Sequence, residues 1–287
     1  MKAQRDPFQR FVSEFARLFQ NGKKLPPGGP SRSGHLPKRT GKAPKVLIFS
    51  PHPDDECIVG GLALRLLREG KWNVINVAVT LGSKPERRAE RLHELKNACD
   101  GLGFDLASAN RVDITPVTRR KNRAYWKKAV KNTARNLART RPRVIFLPHG
   151  SDGHPTHVGT HLLVIDALKT LPSAFRCHVV ETEFWAPLAE PNLLVETSVK
   201  DTADLIAALA CHVGEVRRNP YHARLPAWFM DNVRRGAELV GGAGAAAPEF
   251  TFATLYRLRL WTRGRLVETL KEGKVLPASK NAAGIFS

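Results

Sequence analysis

The 287-residue sequence is 42% hydrophobic and 25% charged, the balance of a globular chain, which excludes a fibrous or disordered one and leaves room for one large domain or two small ones. Its 46 Lys and Arg against 26 Asp and Glu give a net charge of +20, and nearly all of the excess lies in residues 1–42 (ten basic, two acidic) and 111–143 (twelve basic, one acidic). No apolar run reaches the roughly 18 residues of a membrane-spanning helix, the N-terminus lacks the uninterrupted apolar stretch of a secretory signal, and Cys57, Cys99, Cys177 and Cys211 form no CxxC pair, so a reducing, cytoplasmic setting is expected.

In chain order, Phe8, Phe11, Val12, Phe15, Leu18 and Phe19 recur at helical spacing with Arg5, Gln9, Arg10 and Arg17 on other faces, which predicts an amphipathic helix over 7–20. Its apolar face suits docking on the domain or on a second subunit of a homo-oligomer, and its basic flanks also suit contact with a membrane surface. Residues 21–44, rich in Gly, Pro, Ser and Lys, read as a linker, so the chain divides into a basic extension over 1–43 and a single domain over 44–287. In that domain, predicted strands at 46–49, 74–80, 143–147, 178–184, 193–197 and 250–260 are interspersed with predicted helices at 58–68, 86–102, 125–139, 162–168 and 202–213. Residues 103–124 read as a loop that sets the pocket lining. Strand and helix alternation predicts an α/β fold: a Rossmann-like, doubly wound, mostly parallel sheet with helices on both faces.

Two strand ends carry chemistry. The first strand runs into Ser50-Pro51-His52-Pro53-Asp54-Asp55-Glu56, where Ser50 and His52 each precede a proline that keeps the backbone extended until a helix begins at about Pro53. The strand at 143–147 runs into His149-Gly150-Ser151-Asp152-Gly153-His154-Pro155-Thr156-His157 and then into a helix. Open α/β sheets place their ligands at such carboxyl ends. Acids in a first helical turn ordinarily cap the helix, but that leaves a histidine held between two prolines unexplained. His52 and Asp55 suit one shared ion. A histidine from the second turn would complete a set of two imidazoles and one carboxylate, which fits Zn²⁺ with an open position for water and also accepts iron, cobalt or nickel. Cys57, near a helix N-terminus, is assigned to the core.

Pro51-His52-Pro53-Asp54-Asp55-Glu56 together with His154-Pro155-Thr156-His157 resembles the PIG-L, or LmbE-like, family of zinc-dependent N-acetylglucosaminyl deacetylases. Weaker echoes in Arg91-Leu92-His93-Glu94 and in the run from Lys200 to His212 extend the resemblance over roughly 44–260. It implies an amide hydrolase with one Zn²⁺ per chain held by His52, Asp55 and His157, with Asp54 as general base and His154 as the oxyanion stabiliser. Arg91 and His212 are then expected on the substrate side, Trp185 on the pocket lining, and Glu56 as a helix cap or a support for a ligand histidine. Thr156 stands where the family more usually has an aspartate. The implied partner is a small acetamido sugar or glycoconjugate, anionic ones included. Two readings compete: an amidase acting on a non-sugar N-acyl compound such as an antibiotic or thiol conjugate, and a polyanion-binding protein with a vestigial site. Nucleic acid is disfavoured as a partner, because Trp126 falls on the apolar face of its helix instead of interleaving with the basic run at 119–128 as a stacking platform.

Overall fold

Val46, Leu47, Ile48 and Phe49 are apolar on both faces of their strand, and a parallel strand covered by helices on both sides buries such a run completely. In the computed structural model, which describes residues 6–29, 41–111 and 113–286, they form the middle of β1 (Lys45–Ser50). β1 lies between β2 (Asn73–Thr80) and β4 (Val144–Pro148), and β3 (Asp105–Arg111) and β5 (Cys177–Thr182) extend the parallel sheet to the order β3-β2-β1-β4-β5. β7 (Ala253–Thr262) then runs antiparallel to both β5 and β6 (Leu193–Glu196), β9 (Lys274–Leu276) follows β6, and β8 (Arg265–Glu268) folds back on β7.

Alternate side chains of β1 feed separate cores. Val46 and Ile48 pack with Leu62 and Leu66 of α3 (Gly61–Gly70), Leu95 of α4 (Arg88–Leu102) and Leu205 of α8 (Val199–Leu209). Leu47 and Phe49 pack with Trp126 and Leu137 of α6 (Arg123–Thr140) and Leu163 of α7 (Pro155–Lys169). The fold is therefore the expected one, a mostly parallel α/β sheet with helices on both faces.

The helix expected from about Pro53 is instead two helices. α2 (Asp55–Ile58) stops after one turn and the chain restarts as α3. At the break, a Cβ on Gly60 would lie 2.3 Å from the Glu56 carbonyl oxygen, so only glycine fits. Tyr256 of β7 staples the break: its buried hydroxyl donates to the Val59 carbonyl at 2.7 Å and accepts from the Leu62 amide at 3.1 Å. Ile58, Leu62 and Leu66 keep helical spacing across the interruption, which conceals it in the sequence. The stretch 103–124 is not a loop, since it contains β3 and α5 (Pro116–Lys121). The helix expected at 202–213 is α8, which ends at Leu209, and a separate α9 (Val213–Arg218) follows. α10 (Tyr221–Gly241) was not anticipated and carries Pro226 inside it.

α1 (Pro7–Gly22) forms where periodicity places it. Its last turns reach the body, with the Arg224 guanidinium 5.0 Å from the Phe19 ring centroid and Gly22 against Ala223. Within the expected linker the Gly28 amide donates to the Ala210 carbonyl at 2.7 Å, while residues 30–40 lie outside the described residues. No helix among the described residues is long and apolar enough to cross a membrane.

Tyr256→Phe removes the staple without changing the ring's packing and leaves a buried carbonyl and amide unpaired. A loss of about 2 kcal/mol in unfolding free energy is expected by urea titration.

Candidate active site

β1 ends at Ser50, whose hydroxyl donates to Asn76 Oδ1 of β2 at 2.7 Å. The chain then passes through Pro51-His52-Pro53, and Thr80 at the end of β2 holds it extended by donating both its amide (3.2 Å) and its hydroxyl (2.7 Å) to the Pro51 carbonyl. The turn into α2 is made at Asp54, which has φ 111° and ψ −30°, a region costly for any residue with a Cβ. The Asp54 amide donates to Glu56 Oε2 at 3.0 Å, and Glu56 Oε1 accepts from the Cys57 thiol at 3.2 Å and lies 2.8 Å from His212 Nε2. Burial raises the Glu56 carboxyl, but the facing His212 and these hydrogen bonds outweigh it and hold the group below the usual range. Glu56 thus fixes the corner from behind.

β4 lies beside β1, so its loop opens at the same edge of the sheet. His154 is the N-cap of α7 and Pro155 fills the first helical position. Its Nδ1 accepts from the Thr156 amide at 3.2 Å, which leaves Nε2 to carry the proton of the neutral ring. His157, one turn on, presents Nδ1 to Asp152 Oδ1 at 3.1 Å and Nε2 to Asp55 Oδ1 at 3.6 Å. Asp152 is fully buried and takes the Phe184 amide on its other oxygen at 3.1 Å. His149 and His161 of the same stretch lie against backbone carbonyls, of Ala186 at 3.0 Å and Pro148 at 2.9 Å.

The two turns meet. Ring centroids of His52, His154 and His157 are 5.0 to 5.3 Å apart, and a nitrogen from each lies within 4.8 Å of the others. Asp55 bridges the corner: Oδ2 accepts the His52 amide at 2.7 Å and lies 3.7 Å from His52 Nδ1, while Oδ1 faces His157. Asp55 Oδ1 and both nitrogens of His157 are buried without a well-aligned hydrogen bond, Nδ1 having only its 3.1 Å charge contact with Asp152. Burial pushes the Asp55 carboxyl up to about 6 and raises Asp54 well above the carboxylate range, Asp54 also repelled by Asp55. Burial lowers His52 well below its usual value, with His157 adding to the effect, and lowers His154. His157 is raised, because the carboxylates of Asp55 and Asp152 outweigh its burial. Crowded buried acids and unpaired donors of N and O type are what a divalent transition ion would neutralise, so the residues present fit such an ion.

A cavity of about 570 Å³ opens in front, lined by His52, Asp54 and His154 and by Arg91, Trp185 and Tyr221 among others. Arg91 donates to the Pro53 carbonyl at 3.2 Å and lies 3.5 Å from Glu215; its guanidinium occupies the space a Cβ on Gly82 (φ 88°) would need. Arg91 and Trp185 are therefore on the cavity wall. His212 is not: it is completely buried behind α2 against Glu56, so its expected contact with substrate is replaced by a supporting one. Thr156 lines the cavity. Neither Asp152 nor Glu215 stands out in the sequence as a site residue, although Asp152 lies only two residues before His154 in the second motif.

Residues 47–168 match the family model described as PIG-L, GlcNAc-PI de-N-acetylase. The chain is 31% identical over 153 residues to the 1D-myo-inositol 2-acetamido-2-deoxy-alpha-D-glucopyranoside deacetylase of Thermomonospora curvata, a match covering 43% of this chain and 52% of that protein. It spans about half the length of the first curated relatives it matches. Among solved structures, it resembles the N,N'-diacetylchitobiose deacetylase of Pyrococcus horikoshii at TM-score 0.55 and 19% identity, covering 88% of this chain and 93% of that one. It also resembles GalB, the 4-carboxy-2-hydroxymuconate hydratase of Pseudomonas putida, at TM-score 0.57 and 18% identity, covering 79% and 99%. The likeness to these structures is one of fold, and the fold serves a hydratase as well as a deacetylase.

Asp152→Ala leaves His157 unoriented. A fall in affinity for added Zn²⁺ of about 10- to 100-fold is expected by competition with a chromophoric chelator, with the secondary structure retained by circular dichroism.

Proposed function

We propose that this chain, which belongs to the PIG-L (LmbE-like) family, is a zinc-dependent N-deacetylase that hydrolyses the acetamide of an N-acetylglucosamine-type sugar or glycoconjugate. The observation that supports this reading is Asp55 lying between His52 (Oδ2 to Nδ1, 3.7 Å) and His157 (Oδ1 to Nε2, 3.6 Å), with Asp54 and His154 on the wall of the cavity in front.

His52, Asp55 and His157 would hold the ion, and Asp152 fixes the His157 ring so that Nε2 turns towards the site. A Zn²⁺ bound there supplies the charge that acidifies water and polarises an amide carbonyl. Asp54 makes no contact that would bind its carboxylate to the ligand set. It faces the cavity and accepts the proton of the attacking water at a carboxylate oxygen. His154, proton on Nε2 and ring stacked 5.3 Å from Trp185, donates to the oxygen on which negative charge grows. Arg91 and the other cavity residues orient the sugar. The relatives named as acetamido-sugar deacetylases support the substrate class.

A second ligand set has a specific observation in its favour, the nitrogens of His52, His154 and His157 all lying within 4.8 Å. In that set His154 is a ligand instead of a donor.

Amine release from acetamido sugars, abolished by chelator and restored by zinc, is expected of the purified protein. A zinc-loaded enzyme inert towards a broad panel of such sugars sinks the proposal. Asp54→Ala is expected to keep stoichiometric zinc and lose turnover, whereas His157→Ala loses the metal; equal metal loss in both shows the base to be misassigned. His154→Ala is expected to keep its metal and lose kcat by about 10²-fold. Loss of metal on that substitution assigns His154 to the ligands.

A further inference from the structure

The reaction makes no use of α1, which turns the apolar half of a helix into solvent. Phe8, Phe11, Val12, Phe15 and Leu18 are 78, 67, 64, 44 and 64% exposed. At helical spacing they share one half of the surface, with Gln9, Arg10, Ser13, Glu14 and Arg17 on the other. Five adjoining large apolar side chains form a patch of the kind that marks an interaction site, unlike hydrophobic residues scattered singly over a surface. Phe19 and Gly22, on the same half, are held by Arg224 and Ala223 at the start of α10. The body therefore anchors the C-terminal end of the stripe and leaves the rest free.

We propose that α1 is an interfacial helix that seats the protein on an anionic lipid bilayer, with Phe8, Phe11, Val12, Phe15 and Leu18 entering the headgroup boundary. Charge selects this occupant over a second copy of the chain. Residues 1–42 carry ten basic and two acidic residues in a protein of net charge +20. Two copies meeting at α1 would bring these like-charged segments together, whereas an anionic surface attracts them. Exposed Lys23 and Lys24 directly after the helix are placed to meet headgroups, while Arg10 and Arg17 on its polar half stay in water. Sixteen residues interrupted by Arg10, Glu14 and Arg17 are too short and too polar to span, so the helix lies in the plane of the surface. The docked end adjoins the first turn of α10, where Tyr221 lines the cavity, so the seated helix holds the pocket beside the lipid surface.

Co-sedimentation of the full-length protein with phosphatidylcholine vesicles, with and without an equal share of phosphatidylglycerol, tests this. Binding to the anionic vesicles that weakens with added salt is expected. Phe11→Glu/Phe15→Glu is expected to lower the partition coefficient by about tenfold or more, and Lys23→Glu/Lys24→Glu to weaken binding to the anionic vesicles alone, both with unchanged circular dichroism. Absence of wild-type binding overturns the proposal. Binding that the phenylalanine pair does not affect also overturns it and moves the contact to the basic 111–143 surface. A concentration-dependent dimer that the same pair dissociates, without vesicle binding, makes α1 a dimerisation helix instead.

Discussion

The site depends on one strained residue. Asp54 adopts φ 111°, a conformation that costs on the order of 1–3 kcal/mol in a residue with a side chain. Its amide is held by Glu56, which His212 and Cys57 hold in turn, all inside the core. In front of it Thr80 grips the Pro51 carbonyl and Arg91 the Pro53 carbonyl. Within four residues the chain thereby brings the His52 ring to 3.7 Å from the Asp55 carboxylate and places Asp54 on the cavity wall. An unstrained turn would carry Asp54 onto the surface of α2 as an ordinary helix cap.

The second requirement is topological. In a sheet of order β3-β2-β1-β4-β5 the connections leave β1 and β4 in opposite directions, and the crevice between them is where ligands gather in such folds. The two histidine-bearing turns, far apart in sequence, meet because their strands are neighbours. The strand β5 adds the third wall, since Phe184 and Trp185 follow its end, Phe184 near His157 and Trp185 stacked on His154.

Much of this was legible in the sequence, for identifiable reasons. A four-residue apolar run before a proline-flanked histidine has few explanations, and two such strand ends predict a shared crevice before any coordinates exist. The α2–α3 break was not legible, because Ile58, Leu62 and Leu66 remain in phase across it while Gly60 and the distant Tyr256 set the bend. β3, Asp-Leu-Ala-Ser-Ala-Asn-Arg, lacks β-branched residues, and its pairing with β2 supplies what propensity does not. His212 was read as a pocket residue since a histidine beside a site motif offers no sign of which side of the corner it occupies. Asp152 lay in full view within the second motif. Its role emerges only when its buried carboxylate is seen beside His157.

The supports of the corner come late in the chain. His212 lies 156 residues after Glu56, and Tyr256 lies 197 residues after Val59. During synthesis the motif at 51–56 leaves the ribosome among the first parts of the sheet, yet the residues that hold its shape are among the last. The nascent chain carries the motif residues long before it can hold them in place, so the site forms only in the finished protein, and a chain truncated before β7 would display the motif without its geometry.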